Sequence, residues 1–177
     1  MQAISVSVQR LQSGNAKRRS GCPVSISLER FGDRWSLLII RDLMVRGYRT
    51  FKEFQESGEG IATNVLTDRL RRLEEWGIIA AEREASDARR INYRLTEKGI
   101  DLAPVMLELL IWGARHEDVG LSCAVIENMA DNRGQVLREV RQRWENRDIT
   151  PLLPAFAQKK LSLKKGRTKR TRLSSNP

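Results

Sequence analysis

The sequence predicts a mainly α-helical fold with one small β-hairpin, and three observations carry this. Apolar residues recur at i, i+3 and i+4 through residues 26–76 and again across 97–147. Glycines punctuate the first of these runs at Gly32, Gly47, Gly58, Gly60 and Gly77. Two short strand-like runs, 78–84 and 91–95, flank a segment with no apolar side chain larger than alanine.

Taken in order, residues 1–20 form a basic, mobile arm. Cys22-Pro23 opens the fold, and a helix over about 26–31 buries Ile26, Leu28 and Phe31. After Gly32 a second helix covers about 34–45, with Trp35, Leu38, Ile39 and Leu43 as its core face and Gly47 as its stop. Thr50-Phe51-Lys52-Glu53 is a capping box that starts a short third helix, 51–56. Gly58 and Gly60 make a turn into a fourth helix, about 62–76. Val65, Leu66, Leu70, Leu73 and Trp76 face inward there. At 100° per residue, Asn64, Thr67, Asp68, Arg71 and Glu75 face outward, flanked by Thr63.

Residues 78–84 and 91–95 form the hairpin, with Arg89 and Arg90 at its tip in an 85–90 loop. Thr96 caps a helix that runs to about His116, with a bend or loose first turn at Pro104, which has no amide to bond back to residue 100. That helix bears two apolar stripes. Ala103, Met106, Leu107, Leu110 and Ala114 form one, suited to the core of the domain. Leu102, Val105, Leu109 and Trp112 form the other, which needs a second partner; a symmetry mate is the simplest. Beyond Gly120 come a short helix with Val125, Ile126 and Met129 and a stronger one over about 135–147, whose apolar edge is Val136, Leu137, Val140 and Trp144. Pro151 and Pro154 end ordered helix. The expected organisation is an arm (1–20), a core domain (21–119), a helical extension (120–157) and a basic disordered tail (158–177).

The net charge of +10 is not spread evenly. Residues 1–20 hold four bases and no acid, residues 156–177 hold eight bases and no acid, and the remainder is close to neutral. Basic arms of this kind meet nucleic acid by neutralising phosphates, or simply keep a chain soluble. No apolar run suits a secretory signal or a membrane span. Cys22 and Cys123 are too few for a disulfide framework and too far apart for a zinc knuckle, and His116 is the single histidine. No metal or cofactor is expected, and neither is an enzyme: there is no phosphate-binding glycine loop, nucleophile elbow or paired-cysteine motif. The expected setting is the cytoplasm of a bacterial-type cell, on the nucleoid when bound to DNA.

A capped short helix, a glycine turn, a longer polar-faced helix and a cationic hairpin together make a winged helix-turn-helix with a helical extension and basic tail. Recognition helices read bases from their N-terminal turns. Thr63, Asn64 and Thr67 stand there, and asparagine can pair bidentately with adenine. Arg71, with Arg69 or Arg72, would serve phosphates. For Asp68 three options stay open: pairing with Arg71 or Arg72, accepting from cytosine, or pointing away. Arg89 and Arg90 suit a narrow minor groove or phosphate contact. Cys22 follows Lys17, Arg18 and Arg19, and nearby cations favour thiolate, which invites redox sensing. An inert cysteine at a helix start is the plainer reading.

The stretch from Cys22 to Gly113 resembles the HxlR-type transcriptional regulators, relatives of the MarR class. The matching pieces are CPVSISLERFGDRWSLLIIRDLM, RTFKEF, GIATNVLTDRLRRLEEWGII, RINYRLTEKG and LAPVMLELLIWG, in order and with spacing intact. The resemblance implies a homodimeric winged helix, with helix 62–76 as the recognition helix and dimerisation through the N-terminal segment and the helix after the wing. It also implies that the cysteine at position 22 serves as a redox or electrophile switch in some members. The expectation is a sequence-specific regulator of double-stranded DNA, usually a repressor, acting on a pseudo-palindromic operator. The alternative is a winged-helix module for protein contacts whose basic arms give nonspecific nucleic-acid affinity. The segment 120–177 exceeds the family core, and the wing loop has no proline.

Overall fold

A computed structural model describes residues 20–84, 87–118 and 123–153. The expectations for the basic arm and the basic tail lie outside the described residues. The order is α1 (Pro23–Phe31), α2 (Arg34–Arg41) continued by a π-turn (Asp42–Arg46), α3 (Phe51–Gln55), α4 (Thr63–Glu75), β1 (Ile79–Glu84), β2 (Asp87–Leu95), α5 (Glu97–Ile100), α6 (Ala103–His116), α7 (Cys123–Asp131) and α8 (Arg133–Glu145).

Proline at the first turn starts α1 three residues earlier than the apolar pattern indicates, since its missing amide costs nothing there. Leu28 is not in the core as expected: it is 59% exposed on the outer side of α1. Asp33 caps α2, accepting from the Trp35 and Ser36 amides (both 3.1 Å) and the Ser36 hydroxyl (2.5 Å). The α-helix gives way to the π-turn at buried Asp42, whose carboxylate is paired with Arg41 (2.8 Å) and Arg46 (3.2 Å). Gly47 follows at φ +74°, and a Cβ there would lie 1.9 Å from the Ile149 carbonyl oxygen, so glycine is required twice over.

The capping box forms as expected: Glu53 N donates to Thr50 Oγ1 (3.3 Å), and Glu53 Oε2 accepts from the Thr50 amide (2.7 Å). The main core gathers Ile39, Ile40, Leu43, Phe54, Leu66, Leu70, Leu73, Ile78, Leu95 and Ile100. At roughly 1.5–3 kcal/mol for each fully buried large aliphatic side chain, this cluster holds the helix-turn-helix against the wing.

The strands pair antiparallel with Ile79 opposite Leu95, Ala81 opposite Tyr93 and Arg83 opposite Ile91. The register then shifts, and Glu84 stands opposite Asp87. Arg89 and Arg90 therefore lie within β2, not in a terminal loop: with Ala88 they have no opposite number on β1 and form a bulged stretch. The apolar pattern missed this because the backbone pairing of Glu84 with Asp87 needs no apolar side chains.

Thr96 caps α5 through the Gly99 amide (3.2 Å). A Cβ on Gly99 would meet the Ile78 carbonyl oxygen at 2.1 Å. The expected continuous helix 97–116 is instead two, broken at Asp101-Leu102, with Pro104 in the first turn of α6. Of the first α6 stripe, Ala103 and Met106 join the main core, while Leu107, Leu110 and Ala114 pack, with Ile111, against Ile126, Met129 and Ala130 of the extension. α8 then returns to the main core through Val140, Val136, Leu137 and Trp144. Trp144 Nε1 donates to Leu95 O (2.7 Å), and Leu152 N donates to Val45 O (2.8 Å). Ion pairs fasten the rim: Arg133 to Glu108 (2.6 Å), Arg141 to Asp101 (2.5 Å), Arg147 to Glu82 (3.0 Å) and Arg115 to Glu127 (2.9 Å). Among the described residues no helix is long and apolar enough to cross a membrane.

Candidate nucleic-acid interface

The N-terminal turn of α4 presents Thr63, Asn64 and Thr67 to solvent. Two of the three are partly engaged. Thr67 Oγ1 donates to Thr63 O (2.9 Å), and Thr63 Oγ1 accepts from Gln55 Nε2 (3.3 Å), which ties the end of α3 to the start of α4. Among the described residues the Asn64 amide has no hydrogen-bond partner, so both its donor and its acceptor are available to a base edge.

The arginines of α4 are more committed than their exposure implies. Arg69 Nε reaches Asp33 Oδ1 (2.9 Å), and its Nη1 reaches Asp68 (2.5 Å). This couples α4 to the cap of α2. Asp68 also holds Arg71 (3.0 Å) and Arg72 (2.9 Å), and Arg71 pairs with Glu75. Asp68 is thus the hub of three guanidinium groups. Hydrogen bonding from Arg71, ahead of Arg72, holds its carboxyl below the usual range. Of the alternatives open for Asp68 from the sequence, pairing is the one seen, and with Arg69 besides. For Asp33, burial pulls the pKa upward but is outweighed by the hydrogen bonds from Ser36 and Arg69, so the net direction is down.

On the wing, Arg90 is exposed and pairs with Glu84 at 3.4 Å. Arg89 is placed in the bulged part of β2, and its side chain lies outside the described residues. On α6, Val105, Leu109 and Trp112 are 44, 47 and 59% exposed, and the Trp112 ring lies 5.1 Å from His116. Leu102 departs from that stripe: it precedes α6 and is half-buried against the main core. Cys22 is exposed at the N-cap of α1, with no side-chain cap bond; its backbone amide donates to Ser20 Oγ (3.0 Å).

Sequence reasoning missed Asp33, Arg49, Arg94 and Arg147. Asp33 carried a legible signal, an aspartate just before a periodic helix. Arg94 and Arg147 reach partners distant in sequence, Trp144 O and Glu82, while Arg49 turns back on Leu43 O and Tyr48 O; no local pattern marks any of the three.

Residues 30–120 match the family described as HxlR-like helix-turn-helix. Among curated relatives, the HTH-type transcriptional regulator YybR of Bacillus subtilis is 34% identical over 101 residues, covering 57% of this chain and 80% of the relative. The HTH-type regulator Rv3095 of Mycobacterium tuberculosis is 40% identical over 96 residues, covering 54% of this chain and 60% of the relative. Among solved structures, PA1607, a candidate transcription factor, superposes with TM-score 0.53 at 39% identity, covering 59% of this chain and 72% of that one. The oxidised redox regulator HypR superposes with TM-score 0.50 at 33% identity, covering 55% and 100%. The matched stretch carries the capping box, the turn, α4 and the hairpin in the order described above. On these grounds the chain belongs to the HxlR-like helix-turn-helix family of transcriptional regulators, with the MarR-like winged-helix fold.

Proposed function

We propose that the chain is a sequence-specific DNA-binding regulator, acting as a homodimer and as a repressor on a pseudo-palindromic operator. The observation that carries this reading is the exposed amide of Asn64 in the first turn of α4, between two threonines and without a hydrogen-bond partner among the described residues. Thr63, Asn64 and Thr67 read base edges in the major groove, and Arg71 contacts phosphate. Arg69 is placed by Asp33 and orients α4 more than it reaches DNA. Arg89 and Arg90 on the bulged strand reach the flanking backbone or minor groove. Two copies join through the exposed strip of Val105, Leu109 and Trp112, with Leu102 at its edge. The two α4 helices then enter successive major grooves about 34 Å apart.

Selection of bound sites from random duplexes tests this. The expected product is an inverted repeat with half-sites about one turn apart. Asn64→Ala should weaken the selected site by about 1–3 kcal/mol and leave random duplex nearly unchanged. Absence of any enriched motif, with a chain that stays monomeric, would sink the reading.

Modulation through Cys22 is supported by its exposure and by the likeness to HypR, a redox regulator. Affinity for the selected site, measured with and without oxidant on wild type and Cys22→Ser, checks it. A wild-type response equal to the variant's removes the sensing role.

A further inference from the structure

A cleft of about 400 Å³ opens where the helix-turn-helix, the wing and the extension meet. Its walls come from the segment entering α3 (Arg49, Thr50), from β2 (Asn92, Tyr93, Arg94) and from the end of the extension (Trp144, Arg147, Ile149). It narrows inward to a chamber of about 20 Å³ that shares Gly47, Arg49, Arg94 and Trp144 with the outer cleft.

Two arginines define the neck. Arg49 Nη1 donates to Leu43 O and Tyr48 O, both at 2.7 Å, and Arg49 O accepts from Tyr93 N at 2.7 Å. Arg94 Nη2 donates to Trp144 O (2.5 Å), and its guanidinium stacks on the Trp144 ring at 4.9 Å. A guanidinium has five N–H donors. Each of these arginines uses one nitrogen, and among the described residues neither has an ion pair. The nearby carboxylate of Glu53 is occupied by the Arg49 and Thr50 amides (2.8 and 2.7 Å) and the Thr50 hydroxyl (2.8 Å). Burial, and then the charge of Arg94, push the Arg49 pKa down against the opposing charge of Glu53. The two arginines call for an anion with two acceptor atoms.

The rim limits what that anion is. Glu82 and Glu84 stand at the mouth with Glu53, paired in part with Arg147 and Arg90. With Arg90 and Arg147 set against three carboxylates, the mouth has no surplus of positive charge to hold a polyanion inside it. The carboxylates tolerate a neutral body and favour one bearing an ammonium group.

We propose that this cleft binds a small monocarboxylate, its head group held between Arg49 and Arg94 and its uncharged or aminated body facing Tyr93, Asn92 and the rim acids. Occupancy bridges the entry to α3, strand β2 and the extension, and so fixes the wing relative to the recognition unit. The site draws on residues beyond position 120, where the family match ends.

The test is a titration of the full-length ¹⁵N-labelled protein with acetate, glycine and inorganic phosphate, each against sodium chloride at matched ionic strength. The expected result is a saturable shift of the Trp144 indole N–H and the Arg94 Nε–H with acetate and glycine, while the Trp112 indole stays still. Glycine should bind more tightly than acetate, and Arg94→Met should weaken both by about tenfold or more. Shifts that grow linearly, that chloride reproduces, or that move Trp112 equally would overturn the proposal, as would saturation by phosphate alone. Arg94→Met also removes the bond to Trp144 O, so if that variant fails to fold, the wild-type titration decides by itself. No DNA enters the assay, so its outcome is independent of the operator-binding reading.

Discussion

Asp68→Asn gives a sharp test of how α4, the proposed recognition helix, manages its charge. The Asp68 carboxylate touches Arg69 (2.5 Å), Arg71 (3.0 Å) and Arg72 (2.9 Å). Their remaining partners differ. Arg69 keeps Asp33 at 2.9 Å, and Arg71 keeps Glu75. Arg72 has no other ion-pair partner among the described residues, so it is the guanidinium the substitution frees. One additional phosphate neutralised steepens the log affinity against log salt by about 0.9. Over a fourfold rise in salt, that is a further loss of about 3.5-fold in affinity compared with wild type. At low salt the variant should bind random duplex more tightly than wild type, and its preference for the selected site over random duplex should fall.

Fluorescence anisotropy on a random-sequence duplex, from 50 to 200 mM salt, measures the slope; these salt levels bracket the range over which counterion release is large. Asp68→Asn combined with Arg72→Gln should return the slope to the wild-type value. Equal slopes for wild type and Asp68→Asn, with both proteins folded, would refute the reasoning that Asp68 withholds Arg72 from phosphate.

Three further outcomes are expected. Gly47→Ala should destabilise the fold by more than about 1 kcal/mol in denaturant titration, since it meets both the positive φ and the Ile149 carbonyl. Leu109→Glu should shift light-scattering mass toward the monomer while leaving the circular dichroism spectrum intact, because Leu109 is 47% exposed on one chain. Melting temperature should fall on acidification from about pH 4 downward. For both Asp33 and Glu53, burial pulls the pKa upward but is outweighed by hydrogen bonds, from Ser36 and Arg69 in one case and from the Arg49 and Thr50 amides in the other. A depressed folded pKa adds stability above the unfolded value and loses it as pH drops through the folded one. Glu53→Gln should therefore flatten the acid limb of the melting curve against pH.

Much of the site was legible locally. The Thr50 and Glu53 pair, the positive-φ glycine at 47, and the inward face of Leu66, Leu70 and Leu73 are each set by residues within a turn or two of one another. What could not be read depends on contacts far apart in sequence. Nothing local to Arg69 signals that its guanidinium also reaches Asp33, 36 positions away. The apolar edge of α8 showed that a face is buried but not that its partner is the base of the wing, where Trp144 meets Leu95 from 49 positions away. β2 begins before its apolar run because main-chain pairing is indifferent to the side chains of Glu84 and Asp87.

The joint packing of Leu107 and Ile111 with Ile126 and Met129 bears on where this polypeptide can be shortened. A fragment trimmed at 120 would lose the cover over an oily groove on α6 and gain a sticky strip unrelated to its native pairing. Any association measured on such a fragment would mix two causes. Hydrodynamic work therefore belongs on chains that keep residues through 153, where that groove stays covered and the outward strip can be tested by itself.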